Sequence, residues 1–168
     1  NMLAPLADRP ALMQMVLTEA FGLELREPFE LKFEWAPSPA DKYLGDMTSF
    51  DAYIQGTDAN GEPAGLGIEV KYTERGYRIG ESEAGRVRDR ESTYWATTRE
   101  SGLFVGGGCD QLAEDDLRQI WRNHLLGVAM VGHKDIVRFV SVTLYPAGNK
   151  HFTHALNKYK SHLEAAAQ

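Results

Sequence analysis

The sequence predicts an α/β fold in which helices flank a central mixed β-sheet. Four segments have the two-residue alternation or the β-branched composition of strands, namely residues 29–35, 49–55, 65–72 and 136–145. Three segments have apolar residues at helical spacing, namely residues 10–21, 112–131 and 149–163. The resulting order is a helix, three strands, an irregular stretch, a helix, a strand and a helix, which is typical of an α/β domain.

Composition places the chain among ordinary globular proteins. Of its 168 residues, 43% are hydrophobic and 25% are charged, so residues 1–168 are expected to form one domain with a proper core. The single cysteine, Cys109, cannot form an intrachain disulfide, which favours the reducing cytoplasm. No apolar run is long enough to span a bilayer, so no membrane association is expected.

The net charge of −6 argues against a passive nucleic-acid coat, because such proteins are normally basic. It does not exclude an enzyme that acts on nucleic acid, since carboxylates that hold divalent cations are neutralised by the metal. Basic residues are densest in residues 71–99, but acidic residues are interleaved with them. A solvated charged face explains that segment equally well.

The first helix and the first strand have clear sequence signals. Pro10 suits the first turn of a helix, and Gly22 suits the position just after its end. In residues 29–35 apolar and charged residues alternate, which predicts a strand with one inward face. The predicted inward residues are Phe29, Leu31, Phe33 and Trp35.

The next two strands are predicted to form a β-hairpin, because Asn60-Gly61 between them is a strong turn signal. Alternation places Asp51 on the polar face of the first of these strands. It places Glu69 and Lys71 together on one face of the second. If these faces coincide, two carboxylates and one ammonium group meet, which is costly in a core and useful in a metal site.

Residues 73–111 are the least regular part of the chain and are interpreted as an irregular insertion. A helix over residues 83–99 is predicted within it, bearing Tyr94 and Trp95. The three glycines at 106–108 lack the Lys-Ser or Lys-Thr of a phosphate-binding loop, so they are interpreted as a flexible joint.

The helix over residues 112–131 is predicted to be capped by Asp110, with Gln119 and Arg122 on the flanks of its apolar stripe. The run 136–145 is apolar on both faces for much of its length. This composition predicts a central or well-covered strand.

The arrangement of Asp51 before Glu69-Val70-Lys71, each on a strand, resembles the signature of the PD-(D/E)XK nuclease superfamily. The stretch 35–72, notably residues 44–51, is similar to a group of bacterial restriction-endonuclease-like proteins. The predicted αβββαβ order also matches the restriction-endonuclease-like core, so the resemblance covers most of residues 10–145. Phe50 stands where the signature has proline, which is a common variation.

The resemblance implies a divalent-metal-dependent endonuclease that hydrolyses DNA phosphodiester bonds. It implies that Asp51, Glu69 and the Val70 backbone carbonyl hold Mg²⁺, with Mn²⁺ as a substitute. Lys71 would then hold or deprotonate the attacking water. The weaker candidates are Gln119 and Arg122, near the water or phosphate, and an accessory carboxylate from Glu19, Glu34 or Asp46. DNA would be contacted by residues 73–111, and a homodimer or an additional specificity domain would supply sequence recognition.

Several alternatives stay open at this level. A cross-strand ion pair of Lys71 with Asp51 or Glu69 on a solvated face has the same pattern. The fold also suits a catalytically silent scaffold or binding module, or a nuclease acting on RNA or structured DNA.

The remaining chemistry-bearing side chains have simpler explanations. His124, Tyr94 and Trp95 are expected in the core. His151 and His154 share a helix face but lack a third metal ligand. Cys109 is expected to be inert.

Overall fold

A computed structural model describes residues 3–72 and 80–165 of the chain. The strands in these ranges are β1 (Arg26–Trp35), β2 (Phe50–Thr57), β3 (Pro63–Val70) and β4 (Arg138–Leu144). The α-helices are α1 (Pro10–Phe21), α2 (Glu81–Arg88), α3 (Thr93–Glu100), α4 (Arg118–Gly132) and α5 (Lys150–Lys160). None of the helices described is long and apolar enough to cross a bilayer.

The described sheet has the order β1-β2-β3-β4. The pairings of β1 with β2 and of β2 with β3 are antiparallel, and β3 pairs with β4 in parallel. The parallel pair follows the long connection through α2, α3 and α4, as parallel strands require a crossover. This mixed sheet with flanking helices confirms the predicted α/β class.

Each face of the sheet carries its own apolar core. On one face, Leu66 and Ile68 of β3 pack in a cluster with Met13 and Leu17 of α1. On the other face, α4 packs against the sheet within a cluster that includes Phe50 and Tyr53 of β2, α3 and α5. Because side chains alternate along a strand, the neighbours of Ile68 on β3 point to the α4 face.

The strand β4 lies at the edge of the described sheet, so of the two predicted alternatives, a central strand or a well-covered one, the second applies. Its apolar residues have a different explanation. Phe139 packs against the α4 core, while Val140 and Val142 pack against the α1 core. An edge strand that separates two cores needs apolar side chains on both faces, as a central strand does.

The predicted inward face of β1 is wrong at its end. Glu34 has a φ of 46°, a left-handed conformation that interrupts the alternation. Phe33, before the kink, is exposed. Beyond the kink Trp35 turns to the α4 face, where its ring stacks on Tyr53 with 4.2 Å between centroids.

The region after the hairpin also differs from the prediction. The single helix expected over residues 83–99 is two helices, α2 and α3, separated where Asp89 Oδ1 accepts a hydrogen bond from the Glu91 backbone N–H at 2.9 Å. This local turn competes with helix continuation. α4 begins at Arg118, after a 3-10 turn at Asp110–Ala113, so Asp110 does not cap it. The part of the insertion at 73–79 lies outside the described residues.

Candidate active site

The hairpin opens where Asp51 and Glu69 face each other. Pairing of β2 with β3 runs from Thr57–Pro63 to Ala52–Ile68 and goes no further. Beyond it, Oδ2 of Asp51 accepts a hydrogen bond of 2.6 Å from the backbone N–H of Val70. The Asp51 carboxylate thus accepts the hydrogen bond that a main-chain carbonyl of β2 would accept if the hairpin pairing continued. It also lies beside Glu69.

Glu69 is held by three donors. Its Oε1 accepts hydrogen bonds from Lys71 Nζ at 2.6 Å and from Gln119 Nε2 at 2.7 Å. Its Oε2 accepts one from Asn123 Nδ2 at 2.6 Å. The side chains of Lys71 and Glu69 are only 12% and 11% exposed, so this ion pair does not lie on a solvated face.

The electrostatics of Glu69 are those of a crowded, partly desolvated carboxylate. Burial raises the pKa of Glu69 above its ordinary value, and the charge of Asp51 acts in the same direction. Lys71 and Asn123 oppose this rise in pKa but do not cancel it. Carboxylates whose pKa is shifted by burial and a neighbouring charge occur preferentially at functional sites.

The helix α4 supplies two of the three donors. Gln119 and Asn123 are four residues apart, so they lie on the same face of the helix, toward β3. Gln119 is among the residues predicted from the sequence, whereas Asn123 is not. The signal that was available for Asn123 is its spacing of one helical turn from Gln119.

Arg122 does not contact Glu69. Its guanidinium donates to Glu83 Oε1 at 2.7 Å and to Thr48 Oγ1 at 2.8 Å, and lies 3.4 Å from Asp46 Oδ2. Asp46 also accepts a hydrogen bond from the Tyr94 hydroxyl. Although burial alone would raise it, the hydrogen bonds from Tyr94 and Thr48 hold the pKa of Asp46 below its ordinary value. Arg122 and Asp46 are therefore parts of a separate buried network.

The structure does not bring Glu19 or Glu34 to Asp51 and Glu69. Glu19 is exposed on α1, which packs on the opposite face of the sheet from Gln119 and Asn123. Glu34 is exposed at the kink of β1. The accessory carboxylate expected from the sequence is thus not found at any of its three candidate positions among the described contacts.

Tyr94, Trp95 and His124 have structural roles. Tyr94 and Trp95 are buried in the core. The ring of His124 lies with Nδ1 2.9 Å from the Tyr159 hydroxyl, and burial lowers the pKa of His124 to about 4. His151 and His154 are exposed on α5.

The donor set at the open end of the hairpin fits a hard divalent cation. In residues 3–72 and 80–165 no group of three His, Cys, Asp or Glu side chains is arranged around a metal position. Mg²⁺, however, needs only one or two carboxylates, because it retains several waters. Asp51 and Glu69 provide two carboxylates, and the main chain of Val70 lies between Glu69 and Lys71 at the end of β3.

Comparison with known families agrees with this geometry. A family model described as the PD-(D/E)XK nuclease superfamily matches residues 1–168. The chain therefore belongs to the PD-(D/E)XK nuclease superfamily, and its sheet with flanking helices is a restriction-endonuclease-like core. Membership indicates a nuclease-type hydrolase acting on nucleic acid, in a superfamily that typically uses divalent metals. Neither the curated proteins nor the solved structures searched contain a significant match.

Proposed function

We propose that this protein is a divalent-metal-dependent endonuclease that hydrolyses DNA phosphodiester bonds. Residues 1–168 act as a single nuclease domain, and the cytoplasm is its location. The observation that carries the proposal is the buried Glu69–Lys71 pair at 2.6 Å, beside a second carboxylate, Asp51. A solvent-exposed sheet surface would not need this arrangement.

Each residue of the site has a role that its position allows. Asp51, Glu69 and the Val70 carbonyl hold the metal, for which we propose Mg²⁺ with Mn²⁺ as a substitute. When bound, such a cation neutralises phosphate charge and makes water a better nucleophile at neutral pH. Lys71 places its ammonium group next to the carboxylates, where it holds the attacking water and stabilises the negative charge of the transition state.

Gln119 and Asn123 fix the orientation of Glu69. Hydrogen-bonded amides around a ligating carboxylate restrict its rotamers and tune its basicity. Two copies of the chain are the simplest way to cut both strands of a duplex. We therefore propose a homodimer, or a specificity domain outside this chain, for action on a specific duplex.

The test is nicking of supercoiled plasmid DNA in Mg²⁺, in Mn²⁺ and in EDTA. The variant is Lys71→Ala, and the matched control is Lys32→Ala. Lys32 also pairs with a glutamate two residues earlier, at 2.8 Å from Glu30, but on β1. Wild type and the Lys32 variant should nick DNA only with metal, and the Lys71 variant should lose at least 100-fold in rate, about 3 kcal/mol of transition-state stabilisation.

Equal nicking by the Lys71 variant and wild type would remove Lys71 from the mechanism and point to a contaminating nuclease. No nicking of plasmid by any form, with cleavage of single-stranded RNA or branched DNA in the same buffers, would redirect the proposal to those substrates. Binding of DNA without cleavage of any substrate would identify a scaffold.

A further inference from the structure

We propose that the exposed face of α5 binds the phosphate backbone of the nucleic-acid substrate as it enters the candidate active site. This inference rests on the proposed nuclease function. It assigns the substrate contact to a surface outside the insertion at residues 73–111.

The charge distribution along the chain is the first reason. Residues 136–163 contain four lysines and arginines and no aspartate or glutamate. The rest of the chain has 14 basic and 24 acidic residues. A polyanion approaching this acidic protein is repelled by most of its surface, so an acid-free segment is where its phosphates are best accommodated.

The second reason is position. The backbone N–H of Lys71 donates to the Leu144 carbonyl at 2.8 Å, which ties the end of β3 to the end of β4. The chain then turns into α5, where Nδ2 of Asn149 donates to the Tyr72 carbonyl at 3.3 Å. The first turn of α5 therefore lies next to the residue that follows Lys71.

The third reason is the composition of the exposed face. α5 buries Phe152, Ala155 and Tyr159 in the α4 core. The opposite face carries Lys150, His154 and Asn157, all exposed and at spacings of four and three residues, so they form one row along the helix. With Lys160 in the last turn, the face offers hydrogen-bond donors over a helix about 16 Å long, which is long enough to span more than one phosphate.

The lysines of this row are available. Among the described residues no acidic side chain pairs with Lys150 or Lys160, whereas Lys158 is 2.6 Å from Glu114 and 3.3 Å from Asp116. Lys158 is thus already neutralised. Lys150 and Lys160 have no such carboxylate partner among the described residues, so a ligand's phosphates can pair with them.

The described part of the insertion at residues 73–111 offers fewer cationic side chains for binding phosphate. Arg86 donates to the Gly45 carbonyl at 2.5 Å, and Arg99 donates to the Arg90 carbonyl at 2.8 Å. Arg90 itself pairs with Asp110 and stacks its guanidinium on a tryptophan ring. Three of the four arginines described there are therefore engaged with the protein.

The experiment measures binding of a fluorescent 20-base-pair DNA duplex by anisotropy over a series of salt concentrations. All variants are made in the Lys71→Ala background, in Mg²⁺. The test variant is Lys150→Gln with Lys160→Gln. The matched control is Arg9→Gln with Lys32→Gln. Arg9 is exposed just before α1, and Lys32 is partly exposed on β1, at the opposite edge of the described sheet from β4.

The α5 variant should bind at least 10-fold more weakly than the control. Its slope of log K against log salt should be smaller in magnitude by about 1.8, because each lost duplex phosphate contact removes about 0.9. Equal affinities and slopes for the two variants would refute the α5 surface while leaving the nuclease proposal intact. If the unmodified protein neither binds nor nicks DNA, the proposed function fails, and the α5 inference fails with it.

Discussion

Asn123 is expected to be a positioning residue for Glu69. Asn123 donates to Oε2 of Glu69 at 2.6 Å from α4, and a hydrogen bond to a charged group contributes about 1.5–3 kcal/mol. If this energy is realised in the transition state, Asn123→Ala should lower kcat/KM by about 10- to 150-fold. The matched control is Gln14→Ala, which removes an amide that donates to Thr18 at 3.2 Å on α1.

The pH profile separates this role from simple packing. The hydrogen bond from Asn123 lowers the pKa of Glu69, against the upward effect of burial. Removing the amide therefore raises the pKa of Glu69 further. Since the proposed mechanism needs Glu69 ionised, the acidic limb of kcat/KM should move to higher pH in Asn123→Ala. The Gln14 control should leave that limb in place.

The reasoning fails if Asn123→Ala keeps the wild-type acidic limb and a kcat/KM within twofold of wild type. A fall in activity without any movement of the limb would show that Asn123 supports the packing of α4 and does not tune Glu69. Measurement of kcat/KM for plasmid nicking from pH 5 to pH 9 distinguishes these results.

Two further predictions concern stability. Gly127→Ala should destabilise the fold by about 1–3 kcal/mol, because a Cβ at Gly127 would lie 2.0 Å from the ring of Phe139. Urea denaturation measures this loss of stability. Adding Phe139→Leu to the same chain should recover part of the lost stability. His124 has its pKa lowered from 6.5 to about 4 by burial, so the unfolded chain binds a proton that the folded protein does not, and stability should fall as pH drops from 6.5 toward 4. His124 also lines a cavity together with Thr97 and Val128, so its ring is not wholly shielded from water and about 3 kcal/mol is an upper bound for this loss. The variant His124→Gln should abolish the loss in denaturation curves at pH 4.5 and 7. An unchanged pH dependence would contradict the assignment.

Local sequence signals were sufficient for much of the fold. α1 begins at Pro10 and is followed by Gly22 in the left-handed conformation with φ of 60°, as a proline start and a glycine stop predict. The hairpin is equally local, since alternation and a turn dipeptide specify it. These elements need no information from distant parts of the chain.

The errors in the predicted fold arise where packing between distant parts of the chain determines the local structure. Alternation cannot reveal the positive φ of Glu34 that turns Trp35 to the other face. An apolar strand at the edge of a sheet resembles a central one when helices or other apolar groups cover both of its faces. The first turns of a helix are ambiguous as well, because a 3-10 turn such as Asp110–Ala113 has similar composition.

The site was predictable only in part for the same reason. Asp51, Glu69 and Lys71 lie on neighbouring strands with a local pattern, so their meeting follows from strand pairing. Asn123 reaches Glu69 from a helix 54 positions along the chain, and only the packing of α4 on β3 brings them together. The sequence does contain one signal for it: Arg-Gln at 118–119 is followed one helical turn later by Arg-Asn at 122–123. This repeat indicates a helix face that carries two amide side chains.

That repeat gives α4 two adjacent polar rows, and their charge balance differs. The arginine row is neutralised, because Arg118 and Arg122 are paired with Glu83, and Arg122 also with Asp46. The amide row brings no charge to Glu69, so two carboxylates there face the single ammonium of Lys71. A mostly buried group with one uncompensated negative charge is expensive in a protein that binds nothing. This imbalance is the property that a bound cation would correct.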